Sequence, residues 1–289
     1  MNAADRFEYS TAQDPSLNYC LWEYSPAHPA DDKFRSINLL FQSFGHAGID
    51  ARAFDIVDAI REGIGPFRTV FGVKLLGDRL AWEFYFYDYE RRNRAVSISR
   101  VLEAIRPLAP SDLKISESQP YFMFSLDLDA ELAAGRRDID VVHMYVGNPG
   151  STVSSGIAYA MRAGGATLEN FYFFFDAATQ LDAAAAKICS SANFDDTRLP
   201  VDAVLVPELR GCKTICVANK QTHDCVYFSG VDARQLLLFL VRLAYPEAIV
   251  SFVRQNLANL DHLLFDVGFD YRMEGDGIAV LKSGYYGVF

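Results

Sequence analysis

The 289-residue chain is most informative first in what it lacks. No apolar run approaches the ~18–20 residues that a membrane-spanning helix needs. The first ten residues, MNAADRFEYS, show no basic-then-apolar leader pattern, so a cytoplasmic protein is expected. Basic charge is scarce: 27 Lys and Arg stand against 37 Asp and Glu, a net charge of −10, which argues against nucleic acid, a partner that wants a basic face. Cysteine is present as Cys20, Cys189, Cys212, Cys216 and Cys225, an odd number without framework spacing, so disulfides are not expected. Cys212 and Cys216 form no C-x-x-C pair and read as buried thiols rather than zinc ligands. The signatures G-x-x-x-x-G-K-S/T, G-x-G-x-x-G and G-x-S-x-G are all missing. Asp195-Asp196 has no second acidic cluster to complete an aspartate-rich magnesium site, and the five histidines are scattered, none four residues from another.

What is present is a large hydrophobic fraction, 51%, enough for a full core. No Pro/Gly/Ser linker divides the chain, so residues 1–289 are expected to form one domain. Residues 1–30 read as an irregular arm and 31–64 as leading helices. Strand pairs follow: 67–76 with 79–88, 119–128 with 138–147, 156–163 with 167–175, 212–219 with 223–229, and 261–272 with 277–287. Helices are expected at 96–107, 178–192 and 231–258, the last broken at Pro246. Between Gly147 and Gly156 the rhythm calls for a helix but leaves room only for the loop NPGSTVSS. Ten strands rarely remain an open twisted sheet, so closure into an antiparallel barrel with helices outside is expected.

The strand faces sharpen this. Trp82, Phe84 and Phe86 share one face of their strand, and Glu83, Tyr85 and Tyr87 the other. Val142, Met144 and Val146 likewise oppose His143 and Tyr145; Phe171, Phe173 and Phe175 oppose Asn170, Tyr172 and Phe174; Phe265, Val267 and Phe269 oppose Leu264, Asp266 and Gly268. The second face of each strand carries Tyr, His and isolated charges instead of the Lys, Glu and Thr of a solvated sheet. That mixture suits a lumen that holds a partly apolar, partly charged ligand.

Strand pairs separated by helices, with tyrosines and lone basic residues on one face, resemble the α/β ABBA-fold prenyltransferase (PT) barrel. The likeness is closest to the peptide prenyltransferases of cyanobactin biosynthesis. It is carried by VGFDYRMEGDGIAVLKSGYYGVF, VFGVKLLGDRLAWEFYFYD and KTICVANKQTHDCVYFSG and extends over about residues 65–289. The resemblance implies prenyl transfer from dimethylallyl diphosphate, or geranyl diphosphate, to a side chain of a ribosomal, cyclic peptide. Mg²⁺ would be bound mainly through the pyrophosphate, with no protein side chain as ligand, and the enzyme would work as a cytoplasmic monomer without nucleic acid or membrane.

Mapped by position, the resemblance implies that Lys282 and Tyr286 bind pyrophosphate, with Tyr172, His143, Tyr145, Lys74 and Lys213 as further contacts. It implies a prenyl pocket from Tyr85, Thr214, Ile215, Cys216 and Tyr227. Small side chains at 214–216 would admit a ten-carbon donor, although arginine-modifying relatives favour dimethylallyl.

The sequence also departs from that family. Members that modify tyrosine or tryptophan keep a glutamate on the first strand, where Thr69–Val73 here holds no acid. Glu83 and Asp266 face inward instead. A guanidinium, with a pKa above ~12, must lose a proton to become nucleophilic. Two carboxylates could bind it and take that proton, so Glu83 and Asp266 are the expected catalytic residues and arginine the expected acceptor. Tyr, Trp or His of a peptide, a small aromatic metabolite, or a ligand-binding barrel without turnover are the alternatives.

Overall fold

The computed structural model describes residues 6–15, 24–88, 94–148 and 153–289. Two helices lead, α1 (Ile37–Ala47) and α2 (Arg52–Ile64), followed by the hairpin β1 (Thr69–Leu76) and β2 (Arg79–Tyr87). Then come α3 (Ile98–Ile105), β3 (Tyr121–Leu128), the single turn α4 (Ala130–Ala133), β4 (Val142–Gly147), β5 (Ser155–Arg162) and β6 (Gly165–Asp176). The chain continues through α5 (Leu181–Cys189), β7 (Thr214–Asn219), β8 (Asp224–Val231), α6 (Ala233–Arg242), α7 (Glu247–Gln255), α8 (Leu257–Leu260), β9 (Phe265–Glu274) and β10 (Gly277–Val288). Each strand pairs antiparallel with its sequence neighbours, and β10 pairs with β1, from Val70↔Val288 to Leu75↔Ser283. The result is a closed ten-stranded barrel with helices outside, the ABBA-type architecture.

Strict antiparallel order places all five hairpin connections at one rim. Gly77, at φ +62°, and Gly275, at φ +60°, supply the left-handed residue that two of these tight turns need. Apart from the single turn α4, which lies in the β3–β4 connection, the helices return the chain at the other rim. The exception is the β4–β5 connection, residues 148–154, of which 149–152 lie outside the described residues, as does Cys20.

The outer strand faces build the core. Trp82 sits edge-on to Phe44 of α1, with centroids 5.1 Å apart, and its Nε1 donates to Ser43 Oγ at 2.8 Å. Phe84 meets the terminal Phe289 edge-on at 5.1 Å. Ile37, Leu40, Phe41 and Phe44 bury one stripe of α1, which ends at Gly48 in the left-handed conformation. The long helical segment is broken as its sequence suggests. Asp232 opens α6 with a capping box to Gln235, the helix ends before Ala244 at φ +53°, and Pro246 caps α7.

The arm is more firmly docked than its composition suggests. Arg6 bonds Asp58 at 3.0 Å, and Glu8 accepts from Arg61 at 2.6 Å and Arg35 at 3.3 Å. Tyr9 bridges to Phe34. Among the described residues no helix is long and apolar enough to cross a membrane.

Candidate active site in the barrel lumen

The lumen is built by alternation, so what faces it is decided strand by strand. β1 contributes Val70, Gly72 and Lys74; β2 contributes Glu83, Tyr85 and Tyr87; and β8 contributes Cys225, Tyr227 and Ser229. β10 needs a correction to its alternation. Val280 pairs with Tyr271 but Lys282 pairs with Asp270, so Leu281 is bulged out. Without that extra residue Leu281 would stand beside Asp270 and Lys282 would face the helices. The bulge turns Lys282, and after it Tyr286, into the lumen.

Tyr85, Tyr145, Tyr172, Tyr227 and Tyr286 form a belt around the middle of the lumen. Ring centroids lie 5.8 Å apart for Tyr85 and Tyr286, 6.0 Å for Tyr227 and Tyr286, and 5.9 Å for Tyr145 and Tyr172. The rings of Tyr227 and Tyr286 lie along the wall because glycines face them. A Cβ on Gly268 would stand 2.3 Å from Tyr227 Cδ1, and one on Gly284 would stand 2.7 Å from the Tyr286 hydroxyl. Burial raises the pKa of each of these phenols well above its ordinary value, so they remain protonated donors.

Between the belt and the hairpin rim lies an open chamber of about 570 Å³. Its charges segregate into two walls. On the β1–β6 side, Lys74 contacts Glu83, and its Nζ lies 3.0 Å from Asp127. His143 bridges Asp127 at 3.1 Å and Glu169 at 2.7 Å. Three carboxylates face two cations there. On the β7–β10 side, among the described residues a single carboxylate, Asp270, faces Lys220 at 2.8 Å, His223 at 3.1 Å and Lys282 at 3.4 Å. One wall is therefore acidic and the other basic.

The titration behaviour follows from these contacts. Burial opposes the charge of His143, but hydrogen bonds to Asp127 and Glu169 outweigh it and hold the imidazolium up at about 10. Burial would raise the Glu83 and Asp127 carboxyls, yet Lys74 keeps both below the usual carboxylate range. Glu83 also accepts from the Tyr85 hydroxyl at 2.7 Å and from Ser125. Lys282 moves the other way. Burial, then repulsion from Lys74 and Lys220, depresses its pKa, with Asp270 compensating only in part. It is the lysine of the chamber that has most to gain from an incoming anion.

Below the belt a narrower apolar pocket of about 60 Å³ is lined by Tyr87, Phe122, Met123, Phe174, Thr214, Cys216 and Ser229, together with belt tyrosines. Asp266 is buried at this level, accepting from Ser229 Oγ at 2.7 Å and Gly230 N–H at 3.0 Å.

Most residues singled out from the sequence meet in this lumen. Lys74, Glu83, Tyr85, His143, Tyr145, Tyr172, Tyr227, Lys282 and Tyr286 line the chamber, and Thr214 and Cys216 the lower pocket. Two do not. Ile215 points outward into the helix-side core, because neighbours of two inward residues cannot share their face. Lys213 is exposed just before β7, at the rim opposite the chamber. Glu83 and Asp266, expected as a clamp, lie on one cross-strand row, Glu83↔Gly72↔Tyr286↔Asp266. Three strand spacings of about 4.8 Å, roughly 14 Å along the wall, separate their backbones. Glu83 lines the chamber and Asp266 sits beside the lower pocket, so they share no cavity.

Asp127, Glu169, Lys220, His223 and Asp270 were missed. The turn NKQTHD carried a usable signal, a lysine and a histidine within four residues at a strand junction, but only barrel closure brings it to Asp270. Among the described residues no group of three or more His, Cys, Asp or Glu is arranged to hold a metal ion. The chamber carboxylates are instead taken by lysines and histidines, so these residues do not fit a protein-ligated magnesium site. No protein-family model matches the chain, and no curated protein is significantly similar to it in sequence.

Proposed function

We propose that this protein transfers a prenyl group from dimethylallyl diphosphate to a peptide side chain, with arginine as the acceptor. The observation that carries this reading is the tyrosine belt set between a charge-segregated chamber and an apolar pocket. Such a lumen matches an amphiphilic allylic diphosphate end for end. The diphosphate would lie against Lys220, His223 and Lys282, and the five-carbon group would lie among the tyrosine faces. Tyr172 and Tyr286 supply hydroxyl donors at the junction.

In the reaction the allylic C–O bond breaks and its electron pair leaves on the diphosphate. Lysines and phenols preorganised around the lumen favour that charge, and the ring faces stabilise the allyl cation. A guanidine nitrogen then forms the new C–N bond, and its proton passes to a carboxylate. The acidic wall favours a cationic acceptor, because a guanidinium beside Glu83, Asp127 and Glu169 offsets the excess negative charge there. Glu83, hydrogen-bonded to Tyr85 at the level of the belt, is the proton acceptor in this scheme. Asp266 supports the lower pocket through Ser229. Magnesium, carried in on the diphosphate oxygens, would neutralise part of the leaving-group charge.

The test is incubation with dimethylallyl or geranyl diphosphate, Mg²⁺ and cyclic peptides containing Arg, Tyr, Trp or His, read by mass spectrometry. A prenyl adduct on arginine, lost in Glu83→Gln, is the expected result. An adduct on another side chain overturns the acceptor assignment and keeps the transfer. Donor binding without any adduct overturns the transfer and leaves a ligand-binding barrel.

A further inference from the structure

Two lysines and a histidine converge on a single oxygen of Asp270. Oδ2 lies 2.8 Å from Lys220 Nζ, 3.1 Å from His223 Nε2 and 3.4 Å from Lys282 Nζ, and the aspartate side chain is only 5% exposed. The three groups come from two places, the β7–β8 turn and the inward face of β10 after its bulge. One oxygen ringed by several N–H donors is the coordination that a phosphate oxygen receives from a basic cluster. Asp270 brings one negative charge to two lysines and a histidine, and the cluster opens onto the chamber. Lys282, at the longest of the three distances, is held most loosely.

We infer that Asp270 is a resident counter-anion that stands in the place of a diphosphate oxygen and yields Lys220 and Lys282 to an incoming diphosphate. The carboxylate has no route out of the wall, because β9 fixes its backbone between β8 and β10. It therefore stays beside the bound diphosphate as a like charge, weakening its hold and speeding its departure. That Lys220, His223, Lys282 and Asp270 form a pyrophosphate exchange site is measurable without any prenyl group. That the site discharges the product of prenyl transfer rests on the function proposed above.

The experiment is calorimetric titration of inorganic pyrophosphate into the full-length protein, as wild type, Asp270→Asn and Lys282→Met. Asp270→Asn removes the competing charge at constant shape and is expected to bind pyrophosphate about tenfold more tightly. Lys282→Met is expected to bind about tenfold more weakly. Unchanged or weaker binding in Asp270→Asn would mean that the aspartate orients the lysines for the anion, which overturns the inference. Should that variant fail to fold, side-chain ¹⁵N resonances of Lys220 and Lys282 in the wild type decide the matter. Both are expected to shift on adding pyrophosphate, and stationary signals overturn the inference. Tighter binding in Asp270→Asn with no prenyl adduct on any peptide supports the exchange site and overturns only the transfer reading.

Discussion

The ring of Tyr286 lies against the backbone of Gly72 on the neighbouring strand, so that a Cβ there would stand 2.6 Å from Tyr286 Cε1 and 3.3 Å from Tyr85 Cε2. The glycine sets the position of the tyrosine. Gly72→Ala is expected to push the Tyr286 ring into the lumen and destabilise the protein by about 1–3 kcal/mol, the usual range for overpacking. Urea unfolding of the single variant and of Gly72→Ala with Tyr286→Leu checks this. The double variant should lose less than the sum of the singles, and strict additivity would show that the two do not contact as described.

Lys74 is 8% exposed between Glu83 and Asp127. Lys74→Met leaves the buried Glu83 carboxylate without its cation and is expected to cost about 3–5 kcal/mol near neutral pH. Adding Glu83→Gln should recover much of that loss, because the uncompensated charge goes with it. Equilibrium unfolding of the two singles and the double separates this from simple loss of packing.

His143 gives the stability curve an alkaline limb. Its folded-state pKa, about 10, lies above the ordinary histidine value of about 6.5. The stabilisation from its contacts with Asp127 and Glu169 is therefore complete below about pH 6.5 and is lost as pH rises through about 10. Melting temperatures measured between pH 6 and pH 10 should fall, and the fall should flatten in His143→Gln. Direct titration by NMR should place the imidazole well above neutrality.

The acid limb has a different histidine in it. His262 is buried beside Ser10, with Nε2 3.1 Å from the serine hydroxyl. Burial, and then the charge of Lys33, lower its pKa to about 4. Here the sign reverses. The contribution is complete above the unfolded value of about 6.5 and is lost as pH falls from there towards 4, because only the unfolded chain takes up the proton. His262→Gln should shrink the loss of stability between pH 6.5 and 4, and an unchanged slope would assign the acid limb to the carboxylates alone.

How much of this was legible beforehand depends on the kind of information each feature needs. The strand faces were readable from alternation alone: Trp82, Phe84 and Phe86 do face the helices, and Tyr85 faces the lumen. Pro246 marked its helix break correctly. Ile215 was placed inside against that same rule, since Thr214 and Cys216 on either side already claimed the inner face. The bulge at Leu281 left no mark in the sequence, and Lys282 faces inward because of it. The two walls of the chamber could not be read at all. Their opposite character arises from pairs such as Lys220 with Asp270, fifty residues apart, which become neighbours only once β8 lies against β9.

The arrangement of the rims has a consequence for how such a barrel can diversify. Two tight turns at the hairpin rim, residues 77–78 and 275–276, are short, solvent-facing and remote from the helix-side core, and the turn 220–223 at the same rim carries the site's own Lys220 and His223. Most of the helices join the strands at the far rim, and the pairing of β10 with β1 closes the ring. The chamber mouth and most of the helical connections thus lie at opposite ends of one object. The turns 77–78 and 275–276 can be lengthened or exchanged while the half that keeps the barrel closed is left untouched.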